Sequence, residues 1–258
     1  MNPLIESIRV FSKRARQKRA AIFRNSFSLD CDTKILDIGS DDGLNIKATL
    51  EGTTVQPRNV YIADINQQSV TKGSREFGFT PVLIAESGAL PFPDRFFDVV
   101  YCSSVIEHVT IPKERVWQLS SGRKFRHESR RRQKAFADEI VRVGKCYFVQ
   151  TPNRHFPIES HTWLPFVAWL PRRLLIPTLR VTNLFWVKTT NPNWCLLDKN
   201  ELSELFDEAR IMEEKAFGLT KSIMAVSKTP APVVAAPQVR TAGCPPGSLR
   251  VGQGMRAA

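Results

Sequence analysis

The stretch Lys34-Ile35-Leu36-Asp37-Ile38-Gly39-Ser40-Asp41-Asp42-Gly43 decides the fold of this chain. A short apolar run passes an acidic residue and enters a turn that contains two glycines. This is the pattern of a buried parallel strand that opens onto the loop before a helix. Glycine lets the backbone turn sharply and lets a ligand approach it closely. The stretch therefore predicts a ligand site at the carboxyl edge of an open α/β sheet.

The carboxylates of this loop restrict the chemistry of its ligand. The order Asp37-x-Gly39-x-Asp41-x-Gly43 differs from the dinucleotide motif G-x-G-x-x-G, and the loop has no phosphate-binding lysine. Three clustered carboxylates would repel a pyrophosphate. A ligand that carries an amine or hydroxyl groups fits the loop better.

The loop resembles the first motif, D-x-G-x-G-x-G, of the class I S-adenosylmethionine-dependent methyltransferases, with Asp41 in place of the middle glycine. The resemblance implies a doubly wound α/β fold, with a Rossmann-like, mostly parallel sheet of seven strands. It also implies S-adenosyl-L-methionine as the cofactor. In this family the loop holds the cofactor, so the implied cofactor residues here are Asp37, Gly39, Ser40 and Gly43.

A second strand, Asn59-Val60-Tyr61-Ile62-Ala63-Asp64-Ile65, also ends in an acidic residue. Asp64 follows Gly43 by about 20 residues, a separation at which an acid can accept hydrogen bonds from both hydroxyls of a ribose. It matches the second motif of the methyltransferase family. Asp64 and the adjacent Ile65 are therefore further expected cofactor residues.

The run from Glu86 to Val109 resembles the small-molecule, or type 11, branch of the same family. Its features are an acid before L-P-F, then F-D-V-V in a predicted fourth strand, then E-H-V. By this resemblance Glu86 contacts the adenine amine, and Ser87 offers its backbone N–H to a ring nitrogen. Ser103, Ser104, Glu107 and His108 follow the fourth strand, close to where the sulfonium would lie, and Ser103 is an expected cofactor residue.

A long loop follows the predicted fifth strand, Gly144 to Gln150. Its pattern T-P-N-x-x-F-P-I-E-x-H is similar to that of a methyltransferase subgroup associated with bacterial glycan or lipid modification. A hydroxyl acceptor would benefit from a general base. His161, His155 and His108 are the candidates, with His161 preferred and Glu159 as the residue that orients it.

The net charge of +12 is concentrated in two segments, residues 7–24 and 122–134, which carry seven Lys or Arg residues each. The expected organisation is a basic N-terminal helix (1–29), a methyltransferase domain (30–228) and a disordered tail (229–258). The domain would contain a basic insertion (120–134) and a lid-like acceptor segment (151–195), which is an insertion after strand five.

Three surfaces of this organisation are open to more than one interpretation. The basic segments are either solvated or contact acidic lipid, nucleic acid or an acidic acceptor. Residues 163–187 are rich in Trp, Leu, Ile and Phe but contain Arg172, Arg173 and Arg180. They predict a lid over the acceptor, a patch that reaches a membrane-held acceptor, or plain core packing.

Cysteine and hydropathy patterns favour a reducing compartment. The five cysteines lack C-x-x-C or His/Cys ligand spacing, so no metal-binding residues are expected. No apolar run is long enough for a membrane span, and the first residues lack a secretory pattern. A cytoplasmic location follows, with peripheral membrane contact through the basic segments as an option.

The combined motifs favour an S-adenosylmethionine-dependent methyltransferase that acts by in-line displacement on a small-molecule or glycan/lipid-linked acceptor. An RNA methyltransferase is one alternative, suggested by the basic segments, although no N-P-P-Y or D-P-P-Y motif and no RNA-binding module occurs. A non-catalytic S-adenosylmethionine-binding or scaffold protein is another, suggested by Asp41 in the glycine loop.

Overall fold

The computed structural model describes residues 3–85 and 89–228, without the side chains of 3–9 and 11. Glu86, Ser87 and the tail predicted over 229–258 lie outside the described residues. The strands are β1 Ile35–Ile38, β2 Val60–Asp64, β3 Thr80–Leu83, β4 Phe97–Ser103, β5 Gly144–Pro152, β6 Ala209–Ala216 and β7 Leu219–Ser227. The helices are α1 Pro3–Ser26, α2 Leu44–Thr49, α3 Gln67–Phe77, α4 Gly122–Val143, α5 Arg172–Thr182 and α6 Lys199–Leu205.

The strands form one seven-stranded sheet in the order β3-β2-β1-β4-β5-β7-β6. The five strands β1 to β5 are parallel, and β7 runs antiparallel to both β5 and β6. The order reverses between β1 and β4, which is the switch point where open α/β sheets bind ligands. The predicted fold class is confirmed.

Helices cover both faces of the sheet because successive side chains of each buried strand point to opposite faces. Leu36 and Ile38 of β1 belong to the core that contains Ile140 of α4 and Leu202 of α6. Ile35 belongs instead to the core on the other face, which contains Phe23 of α1, Ile46 of α2 and Val70 of α3. This double burial explains why β1 is apolar except for Asp37.

The basic run predicted as an insertion over 120–134 is the first half of α4. The helix continues without a break past residue 134, because a buried stripe runs through its whole length. The N-terminal residues of this stripe are Phe125, Ser129 and Gln133. Because Ser129 and Gln133 are polar, the apolar residues in this part of the helix do not show a helical spacing. The Gln133 amide donates to the carbonyl oxygens of Ile106 and Cys195, both at 2.9 Å. The basic side chains line the outer face of one continuous helix.

The acceptor segment builds a second small core above the carboxyl edge of the sheet. Leu175 and Leu179 of α5 pack with Val167, Trp194 and Leu196. Arg172 of α5 is 6% exposed, and its guanidinium stacks on the Phe125 ring with its central carbon 3.6 Å from the ring centroid. It also donates hydrogen bonds to three backbone carbonyls, those of Val116, Leu119 and Pro192. This side chain joins α5, the N-terminal end of α4 and the loop before α4.

Within the described part of the chain, no helix combines the length and the hydrophobicity that a membrane span requires.

Candidate active site

Asp64 and the loop after β1 meet at the carboxyl edge of the sheet. The register pairs Ile38 with Ala63, which places Asp64 beside Gly39. The Asp64 carboxylate accepts a hydrogen bond from the backbone N–H of Asp41 at 3.0 Å and another from that of Asn66 at 2.9 Å. Each oxygen retains a further lone pair for a hydroxyl donor. The geometry therefore allows Asp64 to hold a ribose.

Asp41 has a backbone conformation that glycine adopts readily. Its φ of +54° lies in the left-handed region, where only glycine is unstrained and Asp and Asn are the better-tolerated alternatives. The resulting turn points the Asp41 N–H at Asp64. The departure from the family motif thus leaves the path of the loop intact.

The glycines of the loop are required by packing as well as by backbone angle. Gly39 has φ of +69°, and a Cβ there would lie 2.5 Å from Cγ2 of Val105. A Cβ at Gly43, where φ is +77°, would lie 3.0 Å from the Phe79 ring. The space that we expected a ligand to use at Gly39 is thus partly filled by Val105. The same contact brings the segment after β4 against the loop.

Two buried polar atoms face this edge without a partner. Asp37 is 2% exposed, and burial, followed by the negative charge of Asp64, raises the pKa of its carboxyl well above the ordinary value. Neither Asp37 Oδ2 nor Ser40 Oγ has a hydrogen-bond partner among the residues that the structure describes. A ligand amine would offset the cost of burying Asp37. The residues therefore fit the amino-acid portion of S-adenosylmethionine.

Ile65 and Ser103 complete the described cofactor edge, which we define as Asp37, Gly39, Ser40, Gly43, Asp64, Ile65 and Ser103. Ile65 is 42% exposed next to Asp64 and offers an apolar surface. The hydroxyls of Ser103 and Ser104 both donate to Oε1 of Gln150, at 2.8 and 3.1 Å. Gln150 of β5, which the sequence analysis did not select, therefore holds the end of β4 in place.

Three titratable side chains converge beyond the end of β4, and we call them the Glu-His-His cluster: Glu107, His108 and His161. Their ligand atoms all lie within 4.8 Å of one another. Glu107 Oε1 is 3.7 Å from His161 Nε2, and the two imidazole rings meet edge to face with centroids 4.4 Å apart. The cluster joins β4 to the acceptor segment, and Glu107 and His108 follow the residue that packs on Gly39.

Burial shifts the pKa of every member of the cluster toward its neutral form. It raises the pKa of Glu107, which is fully buried, to about 7. It lowers the pKa of His108 to about 4, with a further contribution from His161, and that of His161 to about 4, with a further contribution from Lys188. The two imidazoles are therefore uncharged near pH 7.

Glu159 holds the backbone of the loop rather than the imidazole of His161. Its carboxylate accepts hydrogen bonds from the backbone N–H groups of His161 and Thr162, at 2.8 and 2.7 Å. Its Oε1 is 3.8 Å from His161 Nε2, which is too long for a hydrogen bond. Glu159 therefore positions His161 through the main chain.

Residues at the end of the acceptor segment fasten this loop from outside. The Lys188 ammonium donates to the carbonyl of Ser160 at 2.7 Å, and the Trp186 indole donates to that of Thr162 at 2.9 Å. The Trp194 ring stacks beside His161, with centroids 6.3 Å apart. The acceptor segment thus fixes the position of the preferred histidine.

The structure separates the candidate histidines. His108 and His161 come together, whereas the His155 side chain is 68% exposed and lies beside Asp198, 3.8 Å away. Glu107 was noted in the sequence only as a residue near the sulfonium. Its role is visible through the fold, because the Thr151 hydroxyl donates to its Oε2 at 2.8 Å and leaves Oε1 facing His161. In the sequence, the adjacent residues Glu107 and His108 were the signal that could have identified this role.

Residues 36–121 match a family model described as a methyltransferase domain. Among curated proteins, none is significantly similar to this chain in sequence. The matched residues run from β1 to the loop before α4, and so contain the cofactor edge and two members of the Glu-His-His cluster.

Solved structures share the fold at low sequence identity. A chain in the complex of the Haloferax volcanii Trm112 methyltransferase activator with a methyltransferase has a TM-score of 0.51 at 10% identity, covering 85% of this chain and 92% of that one. The PH0226 protein from Pyrococcus horikoshii has a TM-score of 0.50 at 15% identity, covering 84% and 89%. Magnesium protoporphyrin IX methyltransferase from Synechocystis, solved with bound SAH, has a TM-score of 0.49 at 13% identity, covering 88% of each chain.

The domain match, the seven-stranded sheet and the cofactor edge agree with the resemblance first seen in the glycine loop. S-adenosylmethionine is the cofactor of this protein, and the residues of the cofactor edge are those expected to bind it. The chain therefore contains a methyltransferase domain over residues 36–121 and is an S-adenosylmethionine-dependent methyltransferase.

Proposed function

We propose that this methyltransferase methylates a hydroxyl group of an anionic, glycan- or lipid-linked acceptor at a membrane surface. The observation that carries the proposal is an exposed apolar patch on the acceptor segment, beside a groove lined with arginine and tryptophan. We define the patch as Leu174, Val181, Leu184, Phe185 and Val187, which are between 56% and 84% exposed.

The groove supports the anionic character of the acceptor. It has a volume of about 790 Å³ and lies between the N-terminal end of α4 and the acceptor segment. Arg123 and Arg126 line it, are exposed, and form no ion pair within the described residues. Trp169 and Trp194 line it as well, and aromatic rings give a sugar an apolar face to lie on. Arginine favours phosphate and carboxylate groups.

Trp194 lines the groove and also stacks beside His161, so it links the groove to the Glu-His-His cluster. An acceptor in the groove could therefore direct a hydroxyl past Trp194 toward the cofactor edge.

The apolar patch supports a membrane location. Its inner neighbours Leu175 and Leu179 are buried, so α5 has a core face and an outer face that water would otherwise surround. Arg173 and Arg180 are exposed on the same helix. Apolar side chains flanked by arginine are typical of segments that lie in the interface of an anionic membrane.

The cofactor supplies an electrophilic methyl group on a sulfonium, and the protein supplies alignment and exclusion of water. When bound, the cofactor would supply its methyl carbon to the acceptor oxygen and would keep the electron pair of the broken sulfur–carbon bond. His161 accepts the hydroxyl proton through Nε2, with His108 beside it and Glu159 holding the loop.

Transfer of tritiated methyl groups from S-adenosylmethionine to fractionated cell extracts tests the acceptor class. We expect label in the lipid or lipid-linked glycan fraction, stable to mild alkali as an ether is. Asp64→Ala, which we expect to weaken cofactor binding, is the matched negative control. Label in RNA would refute the proposal in favour of an RNA methyltransferase, and alkali-labile label would indicate a carboxylate acceptor.

Sedimentation with lipid vesicles tests the membrane contact. We expect binding to mixed phosphatidylglycerol and phosphatidylcholine vesicles and weak binding to phosphatidylcholine alone. The triple variant L184S/F185S/V187S should bind at least about tenfold more weakly, since three apolar side chains no longer enter the interface. Val141→Ser is the control, because Val141 is an exposed apolar residue near the C-terminal end of α4. This variant should bind as the wild type does. Equal binding of the triple variant would contradict the membrane contact.

A further inference from the structure

The Glu-His-His cluster contains three ligand atoms that the protein leaves without hydrogen bonds. These are Glu107 Oε1, His108 Nδ1 and His161 Nε2. Each is shielded from solvent and has no hydrogen-bond partner in the described part of the chain. A buried polar group without a hydrogen-bond partner destabilises the folded protein. Each of the three residues also places a ligand atom within 4.8 Å of those of the other two, so the residues form a candidate binding site.

The remaining atoms of the three residues are held by hydrogen bonds that fix the orientation of the free ones. Glu107 Oε2 accepts a hydrogen bond from Thr151, and the His108 imidazole is hydrogen-bonded to Asn193. The backbone N–H of His161 donates to Glu159. Secondary contacts of this kind orient the ligands of metal sites.

We propose that Glu107, His108 and His161 bind one divalent transition-metal ion of the Zn²⁺ type. Two imidazoles and one carboxylate are a ligand set that such ions favour, and three protein ligands leave a position open for a further oxygen. The cluster offers one carboxylate with its two imidazole nitrogens, which distinguishes it from the all-oxygen sites that Mg²⁺ and Ca²⁺ prefer.

The distances agree with this assignment. Donor atoms placed about 2.1 Å from a tetrahedral ion lie about 3.4 Å from one another. Glu107 Oε1 and His161 Nε2 are 3.7 Å apart, and all three ligand atoms lie within 4.8 Å. Binding would therefore shorten the distances between the ligand atoms by up to about 1.4 Å. The His161 side chain is 16% exposed, which leaves a path for entry.

The position of the cluster gives the ion a place in the reaction, and this part of the inference rests on the proposed function. Glu107 follows Val105, which contacts Gly39 of the cofactor edge. A hydroxyl oxygen in the open position would therefore lie beside the cofactor edge. In that case His161 Nε2 would be a metal ligand and not the proton acceptor. Methyl transfer by metal-free enzyme distinguishes these two roles.

Titration of chelator-treated full-length protein with Zn²⁺ tests the site, with Co²⁺ as a spectroscopic probe. We expect one ion per chain and the visible absorption of four-coordinate Co²⁺. Glu107→Gln and His161→Gln should each weaken binding by at least about 100-fold, since removing a ligand costs at least as much as removing a secondary contact. His155→Gln, on the same loop but outside the cluster, should bind as the wild type does.

Binding of S-adenosylhomocysteine to each variant establishes that it is folded. Substoichiometric Zn²⁺ binding, or affinity unchanged in both Glu107→Gln and His161→Gln, would overturn the site. Methyl transfer to a lipid-linked acceptor by protein that binds no ion would overturn the inference and leave the proposed function intact. Stoichiometric Zn²⁺ binding at the cluster, together with label only in RNA, would support the metal site and refute the proposed function.

Discussion

The cofactor edge and the acceptor segment both lie at the carboxyl ends of parallel strands, but they are built differently. The cofactor edge is local: Asp37 and Gly39 to Gly43 form one strand and turn, and Asp64 ends the adjacent strand. The acceptor segment is held by distant contacts, such as those of Arg172 with Val116 and Leu119. A short motif can therefore predict a cofactor site, whereas an acceptor site depends on packing between remote parts of the chain.

Of the predicted changes, Arg172→Met should have the largest effect, and it should act on the acceptor segment rather than on the cofactor edge. The change removes a buried guanidinium that satisfies three backbone carbonyls, so we expect a loss of about 4 kcal/mol in the free energy of unfolding. Urea denaturation measures the loss. The affinity for S-adenosylhomocysteine in native buffer should stay within about threefold of wild type if the two regions are independent.

Arg173→Met is the matched control, since Arg173 is the exposed neighbour on the same helix and its replacement should change stability by less than about 0.5 kcal/mol. An Arg172→Met protein that is as stable as Arg173→Met would show that the acceptor segment does not depend on this residue.

Asp64→Ala should act on the cofactor edge alone. Loss of a carboxylate that accepts two ribose hydroxyls should weaken S-adenosylhomocysteine binding by about 100-fold, measured by calorimetry. Asp94→Ala removes a carboxylate whose side chain is 76% exposed and should leave that affinity unchanged. Wild-type affinity in Asp64→Ala would remove Asp64 from the cofactor site.

Glu159→Gln should loosen the loop that connects the two regions. A glutamine has one acceptor oxygen for the two backbone N–H groups that Glu159 now binds, so about 2 kcal/mol of local stability should be lost. Amide exchange of His161 and Thr162 should accelerate by about 30-fold. Glu114→Gln, at an exposed acidic residue, controls for the change in charge. Unchanged exchange at both amides would contradict the positioning role of Glu159.

Asp41→Gly should have the smallest effect and should be stabilising. Glycine adopts a φ of +54° without strain, which gains about 1 kcal/mol, but it loses more backbone entropy on folding. We expect a net gain of about 0.5 kcal/mol in thermal denaturation. Asp42→Gly should instead destabilise, because Asp42 pairs with Lys72 and caps the backbone N–H of Leu44. Destabilisation by Asp41→Gly would show that its carboxylate matters more than its backbone strain.

Much of the sheet was predictable because its strands are short apolar runs that end in turn residues. The second, fourth and fifth strands were predicted and are confirmed. The basic half of α4 was not recognised as helix, since Ser129 and Gln133 occupy its buried stripe. Those residues are buried because they meet the loop after β4 and Cys195, and these contacts do not appear in a local pattern.

The amino-acid sequence by itself determined the fold and predicted the cofactor edge, because the turn after β1 and the end of β2 are each specified by a few residues that are neighbours in the sequence. Only the tertiary structure decided which histidines meet. His108 follows β4 and His161 follows β5, and the parallel pairing of these strands brings His161 against Glu107 while His155 remains at the surface. The physical reason is that strand ends far apart in sequence become neighbours through hydrogen bonding across the sheet and through the burial of α5.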